Sequence, residues 1–249
     1  MREYSEYKTE RALKISKLMK ILDTSLDLIE EYSCKSIEIS AERFGRDIII
    51  RARDCEDNIP EEVLRGVAKD LGLDRIDLNS ISDDDLIRIS LENLDTYLDR
   101  IYKLLVEEIK DLITIYVRKT RELDREYMGI LLREGTWIFL EGEERSITIP
   151  RVSEEVIAVV HTHPSSSCLA SREDLETTLD LFTSGGILSA IASYNCIFIM
   201  RLRDVLSEEC YREFMRYVND YEYFLKIVSE IANRNYMEER CVKIQILRI

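Results

Sequence analysis

The sequence predicts a mixed α/β (α+β) protein, with a helix-rich region over 1–119 and a sheet-containing domain over 120–249. Three observations support this. Up to Leu123, long stretches place apolar residues three and four apart, the spacing of one helix face. After Asp124, short apolar or alternating runs dominate, as in strands. The length of 249 residues suits one domain plus a smaller second part.

Residues 10–31 put Leu18, Leu22, Leu26 and Ile29 on one helical face. Residues 36–40 and 47–52, on either side of Gly45, read as a short β-hairpin. Pro60 opens a helix to about Ala68, and Gly72 ends it. Ser82 with Asp83, Asp84 and Asp85 offers an N-cap and an acidic first turn for a long helix to about Leu123. That helix carries a heptad of Leu91, Leu94, Leu98, Ile101, Leu105, Leu112 and Ile115, interrupted by Glu108. Such a narrow seam packs within its own domain or forms a homodimer through the 91–115 helix. Strands are predicted at 127–133, 136–141, 145–149, 155–161, 187–193, 196–202 and 241–247. Helices are predicted at 171–184, ended by Gly185-Gly186, and at 207–237. The second has Phe214, Tyr217, Tyr221, Phe224, Val228 and Ile231 on a core-facing stripe.

The net charge is −14. Residues 1–120 hold 20 basic and 27 acidic side chains and residues 121–249 hold 15 and 22, so each part is −7. Without a basic face, a phosphate backbone is repelled, which argues against nucleic acid as a partner. No apolar run is long enough for a membrane span, and the charged N-terminus lacks the apolar centre of a signal peptide. A cytoplasmic protein is the expectation. The six cysteines form no C-x-x-C pair, so most are expected to be buried thiols; disulfides are rare in cytosol outside hyperthermophiles. Abundant charge and a single glutamine, Gln245, resemble thermophile composition.

The chain has only two histidines, His161 and His163, after the apolar run Val156–Val160. Residues two apart on a strand share a face, so both imidazoles can grip one metal. Pro164 then stops the strand, and a Ser-rich loop leads to Ser171-Arg172-Glu173-Asp174. This last piece reads as a capping box, Ser171 at the N-cap and Asp174 at N3. A carboxylate held in a first helical turn also serves as a third ligand. Two histidines and one carboxylate leave the fourth position of a tetrahedral site open, the layout of catalytic rather than structural zinc. Such a site needs a separate general base.

The string His161-Thr162-His163-Pro164, followed by Ser171-Arg172-Glu173-Asp174, resembles the signature of the JAMM (MPN-plus) zinc metalloproteases. The upstream element of that family, a Glu opening a strand with Gly three residues on, is matched by Glu126-Tyr127-Met128-Gly129. The resemblance covers about 120–205. It implies an MPN-type catalytic domain binding one Zn2+ per chain through His161, His163 and Asp174. It implies Glu126 as general base and Ser171 as donor to the oxyanion. It further implies a deubiquitinase-like isopeptidase acting on the Gly-Gly tail of a ubiquitin-like or sulfur-carrier protein. One departure is Arg133, where many members have a second glycine; that glycine is not catalytic. The region before 120 matches nothing in the family.

Glu122 and Glu134 compete with Glu126 as base. Cys168 sits close enough in sequence to be a redox brake or an extra ligand, although an ordinary loop cysteine is the simpler reading. Thr162 should face away from the metal, and Trp137 reads as core. Two other functions stand beside the isopeptidase one: a non-catalytic scaffold subunit, as among relatives that have lost their ligands, and a DNA-associated relative, since a related bacterial family has a similar His-x-His-Pro and Ser-Arg-Glu-Asp string. Retention of all five functional positions argues against the first, and the acidic charge against the second.

Overall fold

A computed structural model describes residues 4–40, 50–71, 86–142, 155–232, 236–238 and 241–248. The chain forms two compact units, 17–101 and a second made of 1–16 with 102–249. The sequence boundary at 119/120 does not coincide with this division, which falls inside two helices.

In unit 17–101, β2 (Ser36–Ser40) is central to a three-stranded antiparallel sheet, between β3 (Ile50–Arg53) and β4 (Leu86–Ile89). The hairpin strands pair Ile37 with Ala52 and Glu38 with Arg51. Buried Glu38 is held by the Arg53 guanidinium at 3.1 Å. The helix α2 covers Glu61–Asp70. The predicted cap at Ser82–Asp85 and the strand at 145–149 lie outside the described residues.

The helix expected from residue 82 to 123 is not continuous. Leu86–Ile89 is strand β4, and Ser90 starts afresh, its amide donating to Asn93 Oδ1 at 2.9 Å. The helix proper, α3, runs Leu94–Leu123. Its buried stripe departs from the heptad. Leu94, Leu98, Ile101 and Leu105 are buried, but the stripe then passes through Ile109, Ile113, Tyr116 and Thr120, while Ile115 is 58% exposed. A straight helix of 3.6 residues per turn drifts by about 20° per heptad against a 3.5 repeat, so the buried face slides off the heptad positions. Glu108 lies on that stripe, buried, and takes hydrogen bonds from Arg11 Nη1 at 2.9 Å and from Thr9.

The larger unit is built on an eight-stranded sheet. Its strands are β1 (Tyr4–Lys8), β5 (Tyr127–Leu132), β6 (Thr136–Glu141), β7 (Val156–Thr162), β8 (Leu188–Ala192), β9 (Cys196–Leu202), β10 (Tyr236–Glu238) and β11 (Val242–Arg248). The order is β1-β6-β5-β7-β8-β9-β11-β10, and only β7 and β8 are parallel. The predicted strands at 127–133, 136–141, 155–161, 187–193, 196–202 and 241–247 correspond to β5, β6, β7, β8, β9 and β11. The edge strand β1 carries no strand-like signal in the sequence. It pairs with β6 from the first residues of the chain, just ahead of α1 (Glu10–Glu31).

One sheet face is covered by α4 (Arg172–Thr183), α5 (Glu208–Asn219) and α6 (Tyr221–Ala232). Met128, Ile130, Val159, Leu175, Phe214 and Phe224 belong to the core beneath them. On the other face Tyr116 of α3 stacks on Phe139 with ring centroids 4.0 Å apart, and Trp137 is fully buried nearby. The helix expected over 207–237 is two helices. Asp220 leaves helical geometry and its Oδ1 accepts the Tyr223 amide at 3.0 Å, an N-cap that starts α6. Gly185 ends α4 at φ +86°, with the Gly186 amide bonded to Leu181 O and the Gly185 amide to Phe182 O. That is a Schellman ending, which needs the left-handed conformation glycine adopts without strain. No helix among the described residues is long and apolar enough to cross a membrane.

The expectation of buried thiols is overturned. All six cysteines are paired, Cys34–Cys55 in the smaller unit and Cys168–Cys196 and Cys210–Cys241 in the larger. Sequence spacing does not reveal these pairs, because partners 21 to 31 residues apart are brought together only by strand and helix packing. Protein unfolded in denaturant without reductant should therefore show no thiol reactive to a colorimetric reagent, and six after reduction; free thiols before reduction would contradict the pairing.

Candidate metal centre

The centre lies at the carboxyl ends of the parallel pair β7 and β8, where open α/β sheets form ligand crevices. Strand β7 is interior, hydrogen-bonded to β5 on one side and β8 on the other, so its apolar run is buried. His161 is the last but one residue of β7 and is opposite Met128 on β5. His163 follows the strand end, and its amide donates to Ala192 O at 2.8 Å. The imidazoles point to the same side, with Nε2 atoms 3.1 Å apart.

The third group comes from the start of α4. Ser171 and Asp174 form the capping box: the Ser171 amide donates to Asp174 Oδ2 at 2.7 Å, and the Asp174 amide donates to Ser171 Oγ at 3.1 Å. The same carboxylate faces the histidines, with Oδ1 3.0 Å from His161 Nε2 and Oδ2 3.5 Å from His163 Nε2. Capping thus fixes the carboxylate in the position a ligand needs. His161, His163 and Asp174 form a group that can hold a metal ion, their donor atoms all within 4.8 Å of one another. The donor set fits zinc. Two ligand atoms each about 2.0–2.1 Å from a tetrahedral ion stand about 3.3–3.4 Å apart, close to the separations found here.

These side chains open on a cleft of about 870 Å³, which Glu126 and Ser171 also line. The β5–β7 register explains how Glu126 arrives there. Met128 pairs with His161, and two further residues in each direction bring Glu126 level with His163. Neither Glu122 nor Glu134 lines the cleft; Glu134 instead pairs with Lys8. Gly129 has a packing role, since a Cβ there would lie 2.6 Å from the Phe139 ring.

Burial raises the Glu126 carboxyl above the usual carboxylate range, His163 and His161 oppose that rise, and Asp174 adds to it. Asp174 goes the other way. Burial pushes it up, but hydrogen bonds from His161, His163 and the Ser171 amide hold it far below that range. Asp174 is therefore an anion, as a ligand must be, while Glu126 can carry a proton.

Two contributors escape sequence reasoning. Tyr221, assigned to the core stripe of α6, donates its hydroxyl to Ala170 O at 2.6 Å and so holds the residue before Ser171. Thr120 of α3 meets Thr162 hydroxyl to hydroxyl at 2.5 Å. No local pattern links residues 42 and 51 positions apart. Cys168 is neither a free thiol nor a ligand; its disulfide to Cys196 ties the loop between His163 and Ser171 to the start of β9. No known protein family, curated protein or solved structure matches this chain.

Protein stripped with chelator should take up about one equivalent of zinc per chain by elemental analysis. His161→Ala or Asp174→Asn should weaken uptake by more than the roughly 10- to 100-fold typical of losing an outer-shell partner. Undiminished affinity in both variants would show that the metal binds elsewhere.

Proposed function

We propose that this protein is a zinc-dependent peptidase or isopeptidase of the JAMM type, cleaving after the C-terminal Gly-Gly of a ubiquitin-like or sulfur-carrier protein. One observation carries the reading: a two-His, one-Asp donor set converges in the same cleft as a carboxylate whose pKa is raised and which is not one of the donors. A scaffold has no use for that separation of roles.

Held by His161, His163 and Asp174, zinc would supply an acidified water and polarise the scissile carbonyl. Glu126 takes a proton during the attack and returns it to the leaving amine. Burial displaces its carboxyl upward, the direction that helps a group accept a proton and give it back. Ser171 Oγ already accepts the Asp174 amide, so its own O–H is left to donate to the oxyanion. Removal of one such donor costs on the order of 100- to 1000-fold in rate. The loop Ser165-Ser166-Ser167 after His163 offers small side chains, which suits a slim, extended tail bound by β-augmentation.

The disulfides bear on the setting and leave the cytoplasmic expectation a proposal. Three of them call for an oxidising compartment or for the cytosol of a hyperthermophile, and the charge-rich composition favours the latter.

Glu126→Gln should lower kcat by about 100- to 10,000-fold while zinc stays bound, because a general base is not a ligand. Wild-type turnover in that variant would remove Glu126 from the mechanism. Substrate type is tested with ubiquitin-like fusions ending in Gly-Gly or Gly-Val before the scissile bond. The valine fusion should be cut on the order of 100-fold more slowly, since the larger side chain displaces the carbonyl. Equal rates would leave a zinc peptidase without modifier specificity.

A further inference from the structure

We propose that Thr162, the residue between the two histidines, is a positioning residue that fixes Glu126 through the peptide joining Glu126 to Tyr127. The inference rests on the peptidase reading for its activity measurements. His161 and His163 face the cleft, so Thr162 points to the other side of the sheet, where it is fully buried. On the same face of β7 stand Val160 and Ala158, and packing alone would be served there by another valine. What the threonine adds is a hydroxyl.

That hydroxyl closes the sheet at its open end. The β5–β7 pairing begins at Met128 and His161, and the next step would set Tyr127 against Thr162. At this step the Tyr127 amide donates to Thr162 Oγ1 at 2.8 Å. The other end of the same peptide unit is also held, since Glu126 O accepts the Gly142 amide at 2.8 Å. The Glu126–Tyr127 peptide is therefore clamped on both sides, by Gly142, the residue after β6, and by β7 through one side chain. Thr120, itself buried on α3, meets the Thr162 hydroxyl at 2.5 Å and orients it. A backbone clamped at Tyr127 sets where the Glu126 side chain leaves the strand. The residue that clamps it sits between two metal ligands, so base and ligands share one frame.

The test compares Thr162→Val, Thr162→Ser and Thr120→Val in zinc-loaded protein, with folding followed by thermal melting and cleavage by a Gly-Gly fusion. Thr162→Val should lower kcat by about 10- to 100-fold, the cost of displacing a reacting group by a fraction of an ångström to an ångström. KM and zinc affinity should stay within about twofold, as for an interaction felt only in the transition state. Thr162→Ser keeps the hydroxyl and should restore most of the rate. Thr120→Val, which removes only the orienting partner, should shift kcat in the same direction by less. A readout independent of turnover is amide exchange at Tyr127, which should speed up in Thr162→Val and not in Thr162→Ser. Faster exchange with unchanged kcat would make Thr162 structural only and overturn the proposal. So would loss of zinc affinity in step with activity, or failure of serine to rescue. Absence of any cleavage by wild-type protein would remove the peptidase reading and this role with it, whereas an active wild type with an indifferent Thr162→Val would remove this inference alone.

Discussion

The alternation of side chains along β7 is the constraint on which the rest of this molecule depends. At the end of an interior strand, one residue step reverses the face, so His161 and His163 share the cleft while Thr162 is turned into the opposite layer. A slip of one residue in the β5–β7 register would send both imidazoles to the wrong side. The register is held by hydrogen bonding to β5 and β8 and by burial of both faces, and Pro164 ends the run immediately after the second histidine.

Around that strand, ordinary structural devices take on chemical duties. The capping box at the start of α4 satisfies backbone amides of the first turn and also presents the Asp174 carboxylate to the two histidines. The first turn of a helix is also the favourable end of its dipole for an anion such as the Asp174 carboxylate. The disulfide between Cys168 and Cys196 and the bond from Tyr221 to Ala170 restrain the loop that carries the chain from His163 to Ser171. Each restraint reduces the backbone freedom that metal binding would otherwise have to remove. At Glu126 the backbone is held on either side of its peptide, where Glu126 O accepts the Gly142 amide and the Tyr127 amide donates to Thr162 Oγ1.

Where sequence reasoning went astray, competing local signals were at work. The chain from Leu86 to Leu123 has neither Gly nor Pro, and its apolar spacing extends the helix backwards over Leu86–Ile89. Those residues instead complete a three-stranded sheet with β2, and Ser90 supplies the second start signal. The stripe over 207–237 is real, with Phe214, Tyr217, Phe224, Val228 and Ile231 buried, yet Asp220 caps a new helix in the middle of it. Periodicity reports which face is buried and is silent about a break that keeps the same face. The strand β1 is short, polar and at the sheet edge, so nothing in its composition distinguishes it from a tail.

The sequence by itself determined the mixed α/β class, the stop that Pro164 sets just beyond β7, the shared face of His161 and His163 and the cap formed by Ser171 and Asp174. All of these follow from spacings of two to four residues, over which backbone geometry dictates direction. Only the tertiary structure decided that Glu126 rather than Glu122 or Glu134 lines the cleft, that all six cysteines are paired, and that Thr120 and Tyr221 support the site. These relations join residues 21 to 51 positions apart, or choose among near-identical carboxylates. They depend on which strands are neighbours and in what register, a choice made by the packing of the whole sheet and its covering helices rather than by any local segment.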